Sequence, residues 1–391
     1  MTLDITELIS IFTVFQLVIL TVVILNYKKG KRLSNFLLAG FMASNAVLIA
    51  QFLLRRFGWI SHEKWILVYS IGNSTYFLLM PFLYLYIRSL CYKDFKLRIN
   101  HLIHGLPFIF FVMFSLFINF AYNFFRQSDT VVYIRQHIGT VEYWSHNIIL
   151  HIQILFYLIA SAIVLIKYRN QLRDLYSSIE KIDLYWCNLL LVGFASMWFM
   201  DFLNWTLYIF NSSFQFISYW LLFSSLLINL TFTLIVTYKG LAQSVSFSGI
   251  QVPPKYAASK LKQSDCDEII RRLSDYVKKE KPYLIPSLSV EDLSDKLVIP
   301  VKNLSQAINT CLKQNFYDFI NSHRVEEMKK RICDERFQNL TLLALAYESG
   351  FNSKSVFNTA FKKHTGMTPK EYKLQHLHNT DKRIYEKSHS V

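Results

Sequence analysis

Hydrophobic and polar positions follow two different rules along this chain. Up to about residue 238 the apolar residues form continuous runs without helical or strand periodicity. Seven runs reach the length of about 18 residues or more that crosses a bilayer as a helix. They lie roughly at 8–27, 33–54, 65–87, 106–125, 147–166, 184–210 and 216–238. His101, His104, Gly105 and Pro107 interrupt the pattern before the fourth run settles. Core helices of a large soluble domain would show polar faces with i, i+4 charges, whereas these runs are apolar around the whole circumference. Trp59, Trp65, Tyr143, Trp144, Tyr185 and Trp186 gather near the ends of the runs, where an aromatic belt is expected.

After Tyr238 the pattern changes. Residues 240–263 are rich in Ser, Gln and Gly, carry the pair Pro253-Pro254, and read as a linker. Short amphipathic helices then follow, each with a start signal. Ser264 with Asp267 predicts a cap for a helix over 266–280, and Ser289 with Asp292 one for 290–297. Pro300 opens 301–313. Helices over 316–334, 341–349 and 353–364 come next, and Thr368-Pro369-Lys370-Glu371 opens a last one. Twice, a short helix, a tight turn and a second short helix stand in a row, which is the helix-turn-helix pattern. Each second helix has two faces. Val301, Leu304, Ile308 and Leu312 point inward in the first, and Lys302, Gln306, Asn309 and Lys313 fall on the opposite side. In the second, Phe357 and Phe361 anchor the core, with Ser355, Asn358, Thr359 and Lys362 outside. Such faces are often merely solvated. Two matching units joined by one helix favour contacts with base edges and phosphates of DNA.

Composition and charge fit this division. Of 391 residues, 52% are apolar, 16% aromatic and only 18% charged, which excludes a disordered chain and a small disulfide scaffold. The net charge of +15 looks like a nucleic-acid signal, but the first 238 residues hold +7 of it. Twelve Lys and Arg, Lys28 to Arg32, Arg88 to Arg98 and Lys167 to Lys181, lie after the first, third and fifth runs, against five in the other loops. By the positive-inside rule those loops are cytoplasmic, the N-terminus is outside and the C-terminus inside. The first run lacks a positive leader, so no signal peptide is expected. Cys91, Cys187, Cys266, Cys311 and Cys333 avoid the outer loops and are expected reduced. No catalytic constellation, metal-ligand spacing or cofactor motif is evident, so an enzyme is not expected.

Residues 264–374 resemble the DNA-binding domain of the AraC/XylS family of bacterial transcription regulators. The resemblance rests on SLSVEDLSDKLVIPVKNLSQAIN and NFYDFINSHRVEEMKK, and most specifically on LALAYESGFNSKSVFNTAFKKHTGMTPKEYK. Seven apolar runs before such a domain are similar to a membrane-embedded subgroup of that family. The resemblance implies that two recognition helices enter successive major-groove segments. It implies base contacts from Lys302, Ser305 and Gln306 in the first unit and from Lys354, Ser355 and Thr359 in the second, with Ser353 and Lys362 on phosphates. Lys313 stands where the family usually has glycine, and Thr359 where many members have a longer polar side chain.

The expected fold is therefore all-α. A seven-helix transmembrane sensor domain over 1–239 is followed by a linker over 240–263. A cytoplasmic seven-helix, AraC-type double helix-turn-helix domain over 264–376 and a polar tail over 377–391 complete the chain. A signal would enter where polar groups stand inside the spans. Asp201 and Asn204 on the sixth run, Asn147 and His151 on the fifth, Asn73 on the third and Asn119 on the fourth lie at similar depth. They either line a ligand-sensing pocket walled by Trp198, Trp205 and Tyr122 or only join helices by hydrogen bonds. His151 is the expected partner of the Asp201 carboxylate. The expected function is a one-component regulator in the cytoplasmic membrane, with the signal passing down the seventh run and the linker. Its expected partners are double-stranded DNA, the lipid bilayer, an unidentified signal ligand and a second copy in a homodimer. The alternative is a transmembrane receptor or transporter-like protein whose degenerate helical tail binds a protein partner.

Overall fold

The computed structural model describes residues 3–27, 31–61, 65–124, 129–180, 182, 184–210, 215–243 and 261–375. Every regular element among them is helical. The chain divides into two compact units: residues 1–166 with 184–252, and residues 167–183 with 253–391. The proline pair of the expected linker and the polar tail lie outside the described residues.

The first unit is built from α1 (Ile5–Asn26), α2 (Arg32–Arg56), α3 (Ile66–Ser74), α4 (Tyr76–Cys91), α5 (Leu106–Phe124), α6 (Asp129–Leu175) up to residue 166, α7 (Tyr185–Phe210) and α8 (Gln215–Gln243). Seven stretches among the described residues are long and apolar enough to cross a membrane. α3 and α4 make one of them, Ile66–Cys91, with the break at Thr75, whose hydroxyl donates back to the Ile71 carbonyl at 2.7 Å. The fourth stretch starts earlier than the apolar pattern predicts. A tight helical turn, Ile99–Gly105, leads directly into α5 and takes His101 and His104 with it. His104 Nδ1 lies 2.6 Å from the Tyr157 hydroxyl, and His101 Nδ1 accepts the Arg98 N–H at 2.9 Å. α6 is much longer than the apolar run inside it, because its charged ends remain helical.

α1 is apolar on its buried and its exposed sides alike. Leu17, Leu20 and Ile24 are buried, yet Phe12, Phe15, Val18 and Val22 on its other sides stay exposed. Sparse hydrogen bonds join the helices. Asn45 and Asn229 exchange amide bonds at 3.2 Å, Ser89 donates to Ser34 at 2.8 Å, and Ser70 donates to Ser115 at 3.0 Å.

The second unit contains α9 (Gln263–Glu280), α10 (Val290–Leu297), α11 (Val301–Cys311), α12 (Phe316–Ile332), α13 (Leu342–Glu348), α14 (Lys354–Thr365) and a last helix, α15, over 369–375. It has two cores. Leu273, Val290, Leu293, Leu304 and Ile308 belong to the first, and Leu345, Phe351, Phe357 and Phe361 to the second. α12 serves both: Phe316, Phe319 and Ile320 pack in the first, Val325, Met328 and Ile332 in the second. Local start signals act as the sequence predicts. Ser289 and Asp292 bond reciprocally at 3.2 and 2.8 Å, and Thr368 and Glu371 cap α15; Thr341, expected as the first residue of its helix, instead caps α13 through the Ala344 N–H at 3.1 Å.

Two expectations fail here. α9 begins at Gln263 with Lys262 at the cap, not at Cys266 behind Ser264. The Gln263 amide bonds the Asp267 carboxylate at 3.0 Å, so Asp267 supports the first turn rather than closing a capping box. The cysteines are also not all reduced: Cys266 on α9 and Cys311 on α11 are joined as a disulfide. Packing of α9 on α11 brings their Cα atoms to 6.6 Å across 45 residues of sequence, a proximity no spacing rule reveals.

Lys313 adopts φ 52°, the left-handed conformation that glycine takes without penalty. Lys313→Gly is therefore expected to stabilise the second unit by about 1 kcal/mol. Denaturant unfolding of the full chain checks this, and an unchanged or lower midpoint would contradict it.

Residues 167–183 belong to the second unit through specific bonds. Ser177 donates its N–H and its hydroxyl to the Leu288 carbonyl, at 3.0 and 2.7 Å. Tyr176 forms an isolated bridge with Ser289, and Asn352 donates to the Ser178 hydroxyl. At the centre lies Arg324 of α12, only 1% exposed. Its Nε donates to Tyr283 O at 2.8 Å, and Nη1 to Ser177 O at 3.2 Å and Asn321 Oδ1 at 3.1 Å. Its Nη2 donates to Ile285 O at 2.8 Å and Ser177 Oγ at 3.1 Å. Burial pulls the guanidinium down to about 10, opposed by Glu180 and Tyr317, so it is still charged at neutral pH. Nearby, burial works against ionisation of Glu327, but Lys281 at 3.5 Å and Arg331 at 3.2 Å hold its carboxyl below the usual range.

Candidate functional site

Two places in the molecule gather the candidate residues. The first is the pair of outward faces on α11 and α14. Val298, left-handed at φ 54°, turns the chain between α10 and α11, and Pro300 starts α11. Leu304, Ala307 and Ile308 bury one side of α11, leaving Lys302, Gln306 and Asn309 half-buried on the other. Ser305 departs from the implied base contact: it is 3% exposed. Its position directly after Leu304 and three before Ile308 sets it beside the core stripe. The Asn309 side chain donates to the Asp174 carboxylate, so segment 167–183 occupies part of this polar face.

α14 is more open. Phe357, Ala360 and Phe361 are buried, while Lys354, Ser355, Asn358, Thr359 and Lys362 are all exposed. Ser353 is the N-cap, its hydroxyl accepting the Val356 N–H at 3.5 Å, so its side chain orders the helix start. A groove of about 700 Å³ runs beside this face, lined by Lys354, Asn358, Thr359 and Lys362. Lys363, next in the chain, turns away to pair with Asp318 at 2.8 Å.

The second place is in the first unit. Asn73, Asn147, His151, Asp201 and Asn204 all line one cavity of about 790 Å³. Trp198 and Trp205 line it too, whereas the side chain of Tyr122 is outside the described residues. The expected Asp201–His151 pair is not formed. Asp201 accepts from the Ser225 hydroxyl at 3.3 Å, and His151 Nδ1 is bonded by the Trp198 indole N–H at 3.1 Å. The two residues sit on different helices, and the Trp198 indole, one turn from Asp201 on α7, reaches the imidazole instead. Asn147 bonds its own helix through Tyr143 O at 2.8 Å. Sequence reasoning did not single out Asn45, Asn229 or Ser225, which line the same cavity. Their signal was available: polar residues inside apolar runs.

Comparison with known proteins bears on the second unit. Residues 293–375 match a family described as a helix-turn-helix domain. An uncharacterised HTH-type transcriptional regulator of Staphylococcus aureus (strain COL) is 28% identical over 107 residues, 27% of this chain and 14% of that protein. Counterparts in strains N315 and MRSA252 align over the same length at 28% identity. The chain thus spans about 14% of the length of these relatives. A solved structure of a protein of unknown function from Listeria innocua is 27% identical. The match covers 28% of this chain and 97% of that one, with a TM-score of 0.25. The C-terminal part of this chain carries a helix-turn-helix domain.

Proposed function

We propose that the chain is a membrane-embedded one-component transcription regulator of the AraC/XylS type. A seven-span bundle, N-terminus outside, senses a signal, and a cytoplasmic double helix-turn-helix binds double-stranded DNA sequence-specifically. The observation that carries this is the exposed polar face of α14, repeated in weaker form on α11 and tied to it by α12. The description of the matched relatives as transcriptional regulators supports it. Lys302, Gln306, Lys354, Ser355 and Thr359 meet base edges, and Lys362 a phosphate. Ser353 acts by starting α14, and Ser305 joins only if α11 is uncovered.

Control runs through segment 167–183. It comprises the last turns of α6 and the chain leading to α7, and its contacts reach Asn309 on α11 and Asn352 just before α14. Movement of either helix end would shift both reading helices.

The full chain in lipid nanodiscs is expected to enrich particular duplexes from a random library, with affinity falling steeply as salt rises. Lys362→Gln should weaken all duplexes alike and reduce the salt slope by about 0.9. Thr359→Ala should change which duplexes are enriched. Enrichment of no sequence overturns the proposal.

A further inference from the structure

Asp201 is a carboxylate in the sixth apolar stretch, Trp186–Leu207. Such a charge is costly unless something compensates it. Among the described residues it has one hydrogen bond, from the neutral Ser225 hydroxyl, and no ion pair. Asp201 lines the cavity among the packed helices. The basic side chain on the lining, Arg55, lies over the Tyr69 ring at 5.5 Å and is not bridged to Asp201. Glu142 adds a second carboxylate to the lining.

The walls beside Asp201 are aromatic. Trp198, His151 and Trp205 line the cavity; Trp198 is stacked on Phe202 at 5.6 Å, and the His151 ring packs on Trp205 at 4.9 Å. His151 Nε2 and Trp205 Nε1 are buried without a hydrogen-bond partner. Aromatic faces next to a carboxylate attract cations. The volume, about 790 Å³, suits a small organic molecule and greatly exceeds a bare ion. No group of three metal-ligating side chains stands among the described residues.

We propose that this cavity binds a small organic cation, an amine or quaternary ammonium with an apolar body. Its positive end sits against Asp201, and its body lies along Trp198 and Trp205. This specifies the ligand class for the sensing step and so rests on that part of the proposed function.

The test uses the full chain in nanodiscs with benzyltrimethylammonium as the probe, followed by tryptophan fluorescence and calorimetry. The wild type is expected to bind saturably. Asp201→Asn, which keeps the shape and the Ser225 bond, should bind at least tenfold more weakly, and Trp198→Leu several-fold more weakly. Three results each overturn the proposal: no saturable binding by the wild type, equal affinity in Asp201→Asn, or the same Asp201-dependent change with sodium chloride alone. If Asp201→Asn fails to insert, Asp201→Glu takes its place: retained binding supports the proposal and lost binding overturns it. Duplex enrichment by the same preparations separates the two ideas. Intact DNA binding without cation binding defeats only the ligand class, and the reverse defeats only the regulator.

Discussion

Gly350→Ala is expected to unfold the second core and abolish DNA binding. Gly350 turns the chain between α13 and α14 at φ 93°, a conformation that costs an L-residue about 1–2 kcal/mol. Space is the larger problem. An added Cβ would overlap the Tyr283 carbonyl and stand 2.9 Å from Leu284 Cα and 3.1 Å from Arg324 Nε. Two of these neighbours are backbone and cannot swing aside, so overpacking adds about 1–3 kcal/mol. The total, roughly 3 kcal/mol or more, is a large part of a domain's usual stability. Gly366 provides the control. It has φ 76°, but an added Cβ there would meet nothing within 4 Å, so Gly366→Ala should cost only about 1 kcal/mol. Limited proteolysis and denaturant unfolding of the full chain read both variants. Equal midpoints for the two would show that crowding at Gly350 is not what matters.

The second large effect is expected at Arg324. Arg324→Met keeps much of the volume but leaves the carbonyls of Tyr283, Ile285 and Ser177 without their donor in a buried site. Unpaired buried acceptors cost about 1–3 kcal/mol each, and partial relaxation brings the sum to about 3–5 kcal/mol. Arg324→Lys keeps the charge but offers three donors from one atom instead of a planar fork, so it should fall between Met and wild type. Ser177→Ala removes only the hydroxyl bonds and should cost about 1 kcal/mol. The ranking Met, Lys, Ala in falling cost, read from unfolding midpoints, is the check. A Lys variant as stable as wild type would deny the fork its role.

What the sequence revealed follows from how local each feature is. The seven long apolar helices were legible because their apolar character runs around each helix, needing no partner to be recognised. The caps at Ser289 and Thr368 were legible because donor and acceptor lie within three residues. The outward face of α14 was readable from helical spacing alone. Ser305, a base contact implied by the family resemblance, is buried at the margin of the core stripe, a position decided by what packs there. The Cys266–Cys311 bond and the Ser225–Asp201 bond depend on helices meeting in space. Arg324 was hidden for a related reason. In the run NSHRVEEMKK it looks like one more surface charge, and most of its acceptors are backbone carbonyls, which leave no mark in a sequence.

The bonds from Ser177 to Leu288 and Arg324 mean that the C-terminal module is discontinuous in sequence. A fragment cut anywhere after α8 would already be altered, with a guanidinium missing acceptors and Asn309 and Asn352 without their partners in segment 167–183. The same holds for hybrid proteins. A chimera that fits this bundle with a foreign tail must exchange two pieces, residues 167–183 as well as the C-terminal stretch. Recombination between related genes would meet the same demand, so a single crossover in the linker would separate residues that fold together.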